Sequence, residues 1–341
     1  MPNTAVNELN IETLTSYLEQ HVEGFKGPVT AEKFSGGQSN PTFLLKAASG
    51  DYVLRRQPPG KLLKSAHAVD REFRVMHALE NTDVPVAKAY HLCEDTDVIG
   101  SMFYLMSFEK GEIFWDPALP EIDPAKRKEY FAELIRIMAA IHNVDVAKVG
   151  LADYGKPGNY FERQIGKWTQ QYRAAETETN DKMETLISWL EANCPDDDGS
   201  ISLVHGDYRI DNIIFKAGEP KGLAVLDWEL STLGHPYADL AYFCMSSRLP
   251  SSAHTKGLGG LNRAELQVPE EEEIIQQYCQ QRGIDTIDNW NFYLAFSFFR
   301  LASIVQGVYK RALMGNASNS NALEVGKLVA VLAGMACELI D

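Results

Sequence analysis

Asp207 and Asn212 stand five positions apart in the segment Leu-Val-His-Gly-Asp-Tyr-Arg-Ile-Asp-Asn (203–212), and Asp227 follows fifteen positions later, behind the apolar run 223–226. A carboxylate, an amide and a second carboxylate at a strand end suit phosphoryl transfer. That reaction needs a carboxylate beside the attacking hydroxyl and oxygen ligands for Mg²⁺ to clamp the phosphates. Mg²⁺ takes few protein oxygens and leaves its other positions to water and phosphate. On this pattern Asp207 is the base, Asn212 and Asp227 are the metal ligands, and MgATP is the donor. Taken singly, Asp207 and Asp211 read as turn residues and Asp227 as a cap. Their conjunction behind His205-Gly206 is what points to catalysis.

The elements that must position these residues fall into two textures. Asn10 caps a helix over 10–23, with Ile11, Leu14, Leu18 and Val22 on one face. Strand-like stretches follow at 29–34, 42–47 and 52–56, with a turn-rich hexapeptide at 35–40 and a hairpin turn at 48–51. A helix is expected over 65–80, where Val69, Phe73, Met76 and Leu79 recur at helical spacing, then strands at 87–94 and 101–108. Residues 1–108 therefore read as a β-rich lobe. From residue 109 onward the chain reads as a helical lobe to 341, opened by Asp123 as cap and Pro124 at the first helical position. Helices are expected at 160–175, 181–192, 236–246, 270–282, 288–312 and 321–339. Short strands at 201–204, 213–215 and 223–226 interrupt them. The fold class is α+β, with a small antiparallel sheet carrying one helix and a larger helical lobe.

The motif His-Gly-Asp-x-x-x-x-Asn followed by Leu-Asp-Trp-Glu resembles the aminoglycoside phosphotransferase and choline kinase branch of the protein-kinase-like two-lobed fold, over about residues 28–310. Val-Leu-Arg-Arg-x-Pro-Pro-Gly (53–60), His-x-x-x-Arg-Glu (67–72) and Gly-His-Pro-x-x-Asp-Leu-Ala (234–241) are similar to a narrower branch. That branch includes the kinase-like domain attached to certain acyl-CoA dehydrogenases. The resemblance implies a catalytic base at Asp207, a loop histidine at His205, and metal ligands at Asn212 and Asp227. It implies that Glu72 pairs with a cation on the third strand, Arg55, with Arg56 as the rival. Val53 is implied to lie against the adenine of ATP, and Met106 to Phe108 to form the hinge that meets its edge. Gly36, Gly37 and Ser39, within 35–40, correspond to the loop that covers the phosphates. The strand cation is Arg where the wider kinase pattern has Lys, and the loop has two glycines in place of a full Gly-x-Gly-x-x-Gly. Glu229 stands two positions after Asp227 and could face metal or substrate. Asp239 resembles an aspartate that holds the catalytic loop, while His142 is expected to pack.

Composition bounds the function classes. With 32 Lys and Arg against 47 Asp and Glu, the net charge is −15. That argues against a nucleic-acid binder, which would show a basic face. Five scattered cysteines form no metal-ligand spacing. No secretory leader and no apolar run of membrane-spanning length stand out by inspection, so a cytoplasmic enzyme with no membrane partner is expected. The sequence leaves the oligomeric state open. The reading is an ATP-dependent kinase acting on a small-molecule hydroxyl, and the narrower resemblance implies a hydroxyacyl-CoA. An aminoglycoside or amino alcohol is the alternative acceptor, and a catalytically silent nucleotide-binding pseudokinase is the alternative class. Lys61, Lys64, Arg163, Lys167 and Arg173 are the candidate cations for a CoA phosphate. Tyr160, Arg163, Gln164 and Trp168 lie where such kinases build their acceptor pocket.

Overall fold

The structure, a computed structural model, describes residues 9–34, 40–58, 67–252, 255–315 and 322–340. In chain order it contains α1 (Ile11–His21), β1 (Val29–Lys33), β2 (Thr42–Ala47), β3 (Gly50–Arg56), α2 (Val69–Leu79), β4 (Ala89–Cys93) and β5 (Phe103–Ser107). There follow α3 (Pro124–His142), α4 (Tyr160–Ala175), α5 (Asp181–Ala192), β6 (Ser202–Val204), β7 (Ile213–Phe215), β8 (Gly222–Val225) and β9 (Thr232–Gly234). The remainder is α6 (Tyr237–Arg248), α7 (Arg263–Leu266), α8 (Glu271–Arg282), α9 (Trp290–Leu313), α10 (Ala322–Gly326) and α11 (Leu328–Cys337). The chain divides into two units. One comprises residues 1–112, 149–151 and 213–231; the other comprises 113–148, 152–212 and 232–341. A single cut at 108 follows chain order, whereas the hairpin β7–β8 and its sequel to Ser231 belong with the sheet.

In the first unit the sheet runs β1-β2-β3-β5-β4, every neighbour antiparallel. Successive side chains point to opposite faces of a strand. Phe43, Leu45, Leu54, Phe103 and Leu105 thus share one core with Leu14 and Leu18 of α1. Asn10 starts that helix, its side-chain oxygen accepting from the Thr13 amide at 3.1 Å. The odd positions of β3, Val53 and Arg55, point to the other face, and Val53 stands opposite Met106 in register. Arg56 is on the α1 side of the strand, where its Nε donates to Ser101 Oγ at 2.9 Å.

The second unit is helical. Asp123 accepts from the Ala125 amide at 3.0 Å, with Pro124 at the first helical position of α3. Glu270 and Glu273 form a capping box at the start of α8. Helix α9 is the central member, burying aromatic residues such as Phe296, Phe298 and Phe299. It contains an 18-residue window of mean hydropathy 1.3, of which 72% is buried inside the structure. Arg300 interrupts the apolar stretch, and the burial is that of a core helix. The helix expected at 321–339 is two, because α10 ends at Gly326. A Cβ there would lie 2.1 Å from the Tyr309 ring of α9, so only glycine permits the approach.

Candidate active site

In the sheet unit the buried carboxylate of Glu72 gathers one cation and two hydrogen-bond donors. Arg55 Nε lies 2.8 Å from one oxygen, the Tyr104 hydroxyl donates to the same oxygen at 3.0 Å, and Asn40 donates to the other at 2.8 Å. Glu72 comes from the first turn of α2, where a helix N-terminus favours negative charge. Arg55 reaches on to Asp227 Oδ1 at 3.2 Å and lies 3.9 Å from Glu229. The strand's alternation explains why Arg55 and not Arg56 meets Glu72. Burial works against the Arg55 charge, but Glu72, Tyr104 and Asp227 outweigh it and hold its pKa above the ordinary range. Burial leaves the Glu72 carboxyl above its ordinary value in spite of Arg55. An adjacent cation and two converging donors nonetheless fit the carboxylate form. Asp227 itself adopts φ 61°, ψ 57°, the left-handed region that short polar side chains tolerate best after glycine.

Val53 and Met106 are adjacent, both nearly buried, and Phe108 follows directly after β5. Gly36, Gly37 and Ser39, and Lys61 and Lys64, lie outside the described residues.

In the helical unit the loop after β6 is pinned from several sides. Asp239, from the first turn of α6, accepts from the backbone amides of His205 at 2.6 Å and Gly206 at 2.8 Å. Gly206 has φ +86°, a conformation an L side chain would strain. Its carbonyl accepts from Arg300 of α9 at 2.5 Å. Arg300 is itself buried between the rings of Trp168 and Tyr242, 5.7 and 5.1 Å from their centroids. Behind Asp239, His142 Nε2 lies at 3.2 Å and His142 Nδ1 is 2.7 Å from the Tyr278 hydroxyl. Burial, the dominant influence, lowers the His142 pKa despite Asp239. The ring is therefore neutral at pH 7, donating from Nε2 to the carboxylate and accepting at Nδ1 from Tyr278. Burial raises Asp239, but its donors more than compensate and its pKa falls below the carboxylate norm.

Asp207 emerges from this frame. Its amide donates to His205 Nδ1 at 3.2 Å, so the fully buried His205 braces the backbone. Asn212 Nδ2 donates to the Asp207 carbonyl at 2.8 Å and lies 3.4 Å from its carboxylate. Both amide hydrogens are thereby directed at Asp207, and the Asn212 carbonyl oxygen is left for a hard cation. A side-chain amide oxygen is among the donor types Mg²⁺ takes. Among the described residues no cluster of three or more His, Cys, Asp or Glu forms a self-sufficient metal cage.

Several secondary candidates are accounted for elsewhere. Arg209 forms a two-pronged pair with Asp211, 2.9 Å on each arm. Arg163 donates to the carbonyls of Lys156 and Pro157, and Arg173 pairs with Glu184. Trp168 is buried in the packing around Arg300. The sequence reading missed Arg300 and Tyr278. A lone arginine inside an apolar helix was the available signal for the first, since a buried guanidinium demands partners.

A five-stranded antiparallel sheet whose third strand pairs Arg55 with Glu72 of α2, together with a helical unit holding a His-Gly-Asp loop, is the kinase-like phosphotransferase architecture. The sequence pattern of the phosphotransferase enzyme family matches residues 30–275, and the chain belongs to that family. Such enzymes transfer phosphate to hydroxyl groups of small molecules. The chain is 45% identical to mouse acyl-CoA dehydrogenase family member 10 over 98% of its length, which is 32% of that protein. It is 40% identical to human acyl-CoA dehydrogenase family member 11, again over 98% of its length and 43% of the relative's. It thus spans less than half the length of these curated relatives. A candidate aminoglycoside phosphotransferase from Ralstonia eutropha JMP134 superposes with a TM-score of 0.90 at 48% identity, covering 97% of this chain and 98% of the other. A thermostable mutant of an aminoglycoside phosphotransferase, solved with AMP-PNP and hygromycin B, shares the fold at a TM-score of 0.64 and 12% identity, over 96% of this chain and 98% of that one.

Proposed function

We propose that the chain is a cytoplasmic kinase that uses MgATP to phosphorylate the hydroxyl of a hydroxyacyl-CoA. Asp207 accepts the proton as the hydroxyl oxygen bonds to the γ-phosphorus. The bond from that phosphorus to the bridging oxygen breaks, and ADP leaves. Arg55, fixed by Glu72, faces the phosphates. Val53 and Met106, with the backbone from 106 to 108, receive the adenine. His205 holds Asp207 in place. Asn212 and Asp227 are the ligands for Mg²⁺, which when bound neutralises phosphate charge. Catalysis on this reading is mainly positioning and charge stabilisation.

The observation that carries the reading is the Arg55 guanidinium held between Glu72 and Asp227, at 2.8 and 3.2 Å. The acyl-CoA acceptor is supported by the curated relatives, whose names place them among acyl-CoA dehydrogenases. The test is ADP release by purified protein with hydroxyacyl-CoAs, amino alcohols, sugars and aminoglycosides. Transfer should be selective for the thioesters. Asp207→Asn should lower turnover by about 10²–10⁴-fold, the worth of a general base, with MgATP affinity little changed. Near-full activity in Asp207→Asn would overturn the role given to that residue, and preference for aminoglycosides would overturn the acceptor.

A further inference from the structure

A groove of about 270 Å³ opens beside the catalytic loop, its lining including Arg209, Ile210 and Asp211. Ten of its sixteen lining side chains are apolar, and α9, α10 and α11 supply one wall through Leu301, Val305, Val325, Leu328 and Leu332. Its hydroxyls are turned away from any ligand. Ser246 and Ser247 both donate to the Phe243 carbonyl, and Thr255 donates to that of Pro250. The single carboxylate in the lining, Asp211, is already held by both arms of Arg209. Lys256 is exposed and makes no ion pair among the described residues, so the lining carries one uncompensated positive charge in a protein of net charge −15.

This chemistry selects an occupant. A polycation would find no uncommitted carboxylate here and would meet Lys256. An apolar chain would bury itself against leucine and valine. The volume is just below the roughly 300–1,000 Å³ of a whole small-molecule site, which suits part of an acceptor. We propose that the groove seats the apolar chain of the phosphate acceptor and sets its preferred length, with Lys256 favouring an anionic molecule. The proposal rests on the acceptor reading above, and goes beyond it by naming the residues that choose among acceptors.

The test is calorimetric titration of the full chain, with AMP-PNP and Mg²⁺ present, by unhydroxylated straight-chain acyl-CoAs of increasing length. Affinity should rise by up to about fourfold per added methylene, the transfer value of about 0.8 kcal/mol per buried CH₂, until the groove is full. Leu328→Trp, at a partly exposed lining position, should flatten that dependence. Lys256→Glu, on the surface, should weaken every thioester severalfold while preserving the dependence. Affinity indifferent to chain length in the parent protein, a dependence that survives Leu328→Trp, or tighter binding of hygromycin B than of any thioester would each overturn the groove. Because these are binding measurements, they separate the two readings. Chain-length-dependent affinity in a protein that releases no ADP with hydroxylated thioesters would support the groove and remove the kinase. ADP release indifferent to chain length and to Leu328→Trp would keep the kinase and overturn the groove.

Discussion

At the scale of the residue, Arg55 is the most informative side chain. Its planar fork reaches Glu72 and Asp227 together, which a lysine's single ammonium is poorly shaped to do. Replacing it with methionine leaves Glu72 only 2% exposed and without its cation. Removing one partner of a buried pair costs about 3–5 kcal/mol. The Glu72 pKa, already raised by burial against the pull of Arg55, should rise further. An acid whose folded pKa exceeds its unfolded value contributes most below the unfolded pKa and loses that contribution as pH climbs through the folded one. Arg55→Met should therefore cost more stability at pH 8 than at pH 5, relative to the parent protein at the same pH. Urea unfolding at the two values measures this, and an equal cost at both would contradict it. Arg55→Lys should instead keep most of the stability and raise the KM for MgATP about tenfold, a loss of roughly 1.4 kcal/mol, as seen in initial-rate kinetics.

At the scale of the element, the catalytic loop owes its shape to helices distant in sequence. Helix α6 supplies Asp239 and α9 supplies Arg300, fixing the backbone just before Asp207. Displacing a reacting group by about 1 Å can cost about 10²-fold in rate. Arg300→Met should thus lower kcat by about 10–100-fold with the KM for MgATP nearly unchanged, a split that steady-state kinetics resolves. A fall in both parameters together would argue against positioning. This arrangement also shows how far the sequence could be read. Alternation on β3 assigned Arg55 and Val53 to one face, and helical spacing found α2 with its Glu72, because each signal is local. Asp239 carried a motif of its own. Arg300 and Tyr278 carried none, since their partners lie 94 and 136 positions away and nothing local marks them. Strand β9 is three residues long, too short to display a period, and exists by pairing with β6. The need for glycine at 326 depends on the Tyr309 ring beside it, again a tertiary fact.

At the scale of the whole molecule, two effects of acid oppose each other. Lowering the pH toward the sequence pI of about 5.0 discharges a chain that carries −15 at neutrality, and relieving self-repulsion favours the folded state. Against this stand His91, His142 and His235, whose pKa values burial lowers from the ordinary 6.5. A histidine with a lowered folded pKa takes up its proton more readily when unfolded. Its contribution is complete above about pH 6.5 and is lost as pH falls toward the folded value. Each unit of lowering corresponds to about 1.4 kcal/mol. Repulsion among surface charges is screened over about 8 Å at 0.15 M salt, whereas the loss of hydration that lowers these histidines is scarcely affected. In 0.15 M NaCl the histidines should win, and the melting temperature should fall between pH 7.5 and 5.5. At low salt the fall should be shallower, because repulsion relieved by acid then counts for more. His142→Gln, whose amide can still donate to Asp239, should reduce the slope at 0.15 M by removing one of the three titrating rings. Thermal melts followed by circular dichroism across this pH range at both salt levels decide the matter, and a melting temperature that rises on acidification at 0.15 M would show that charge repulsion dominates instead.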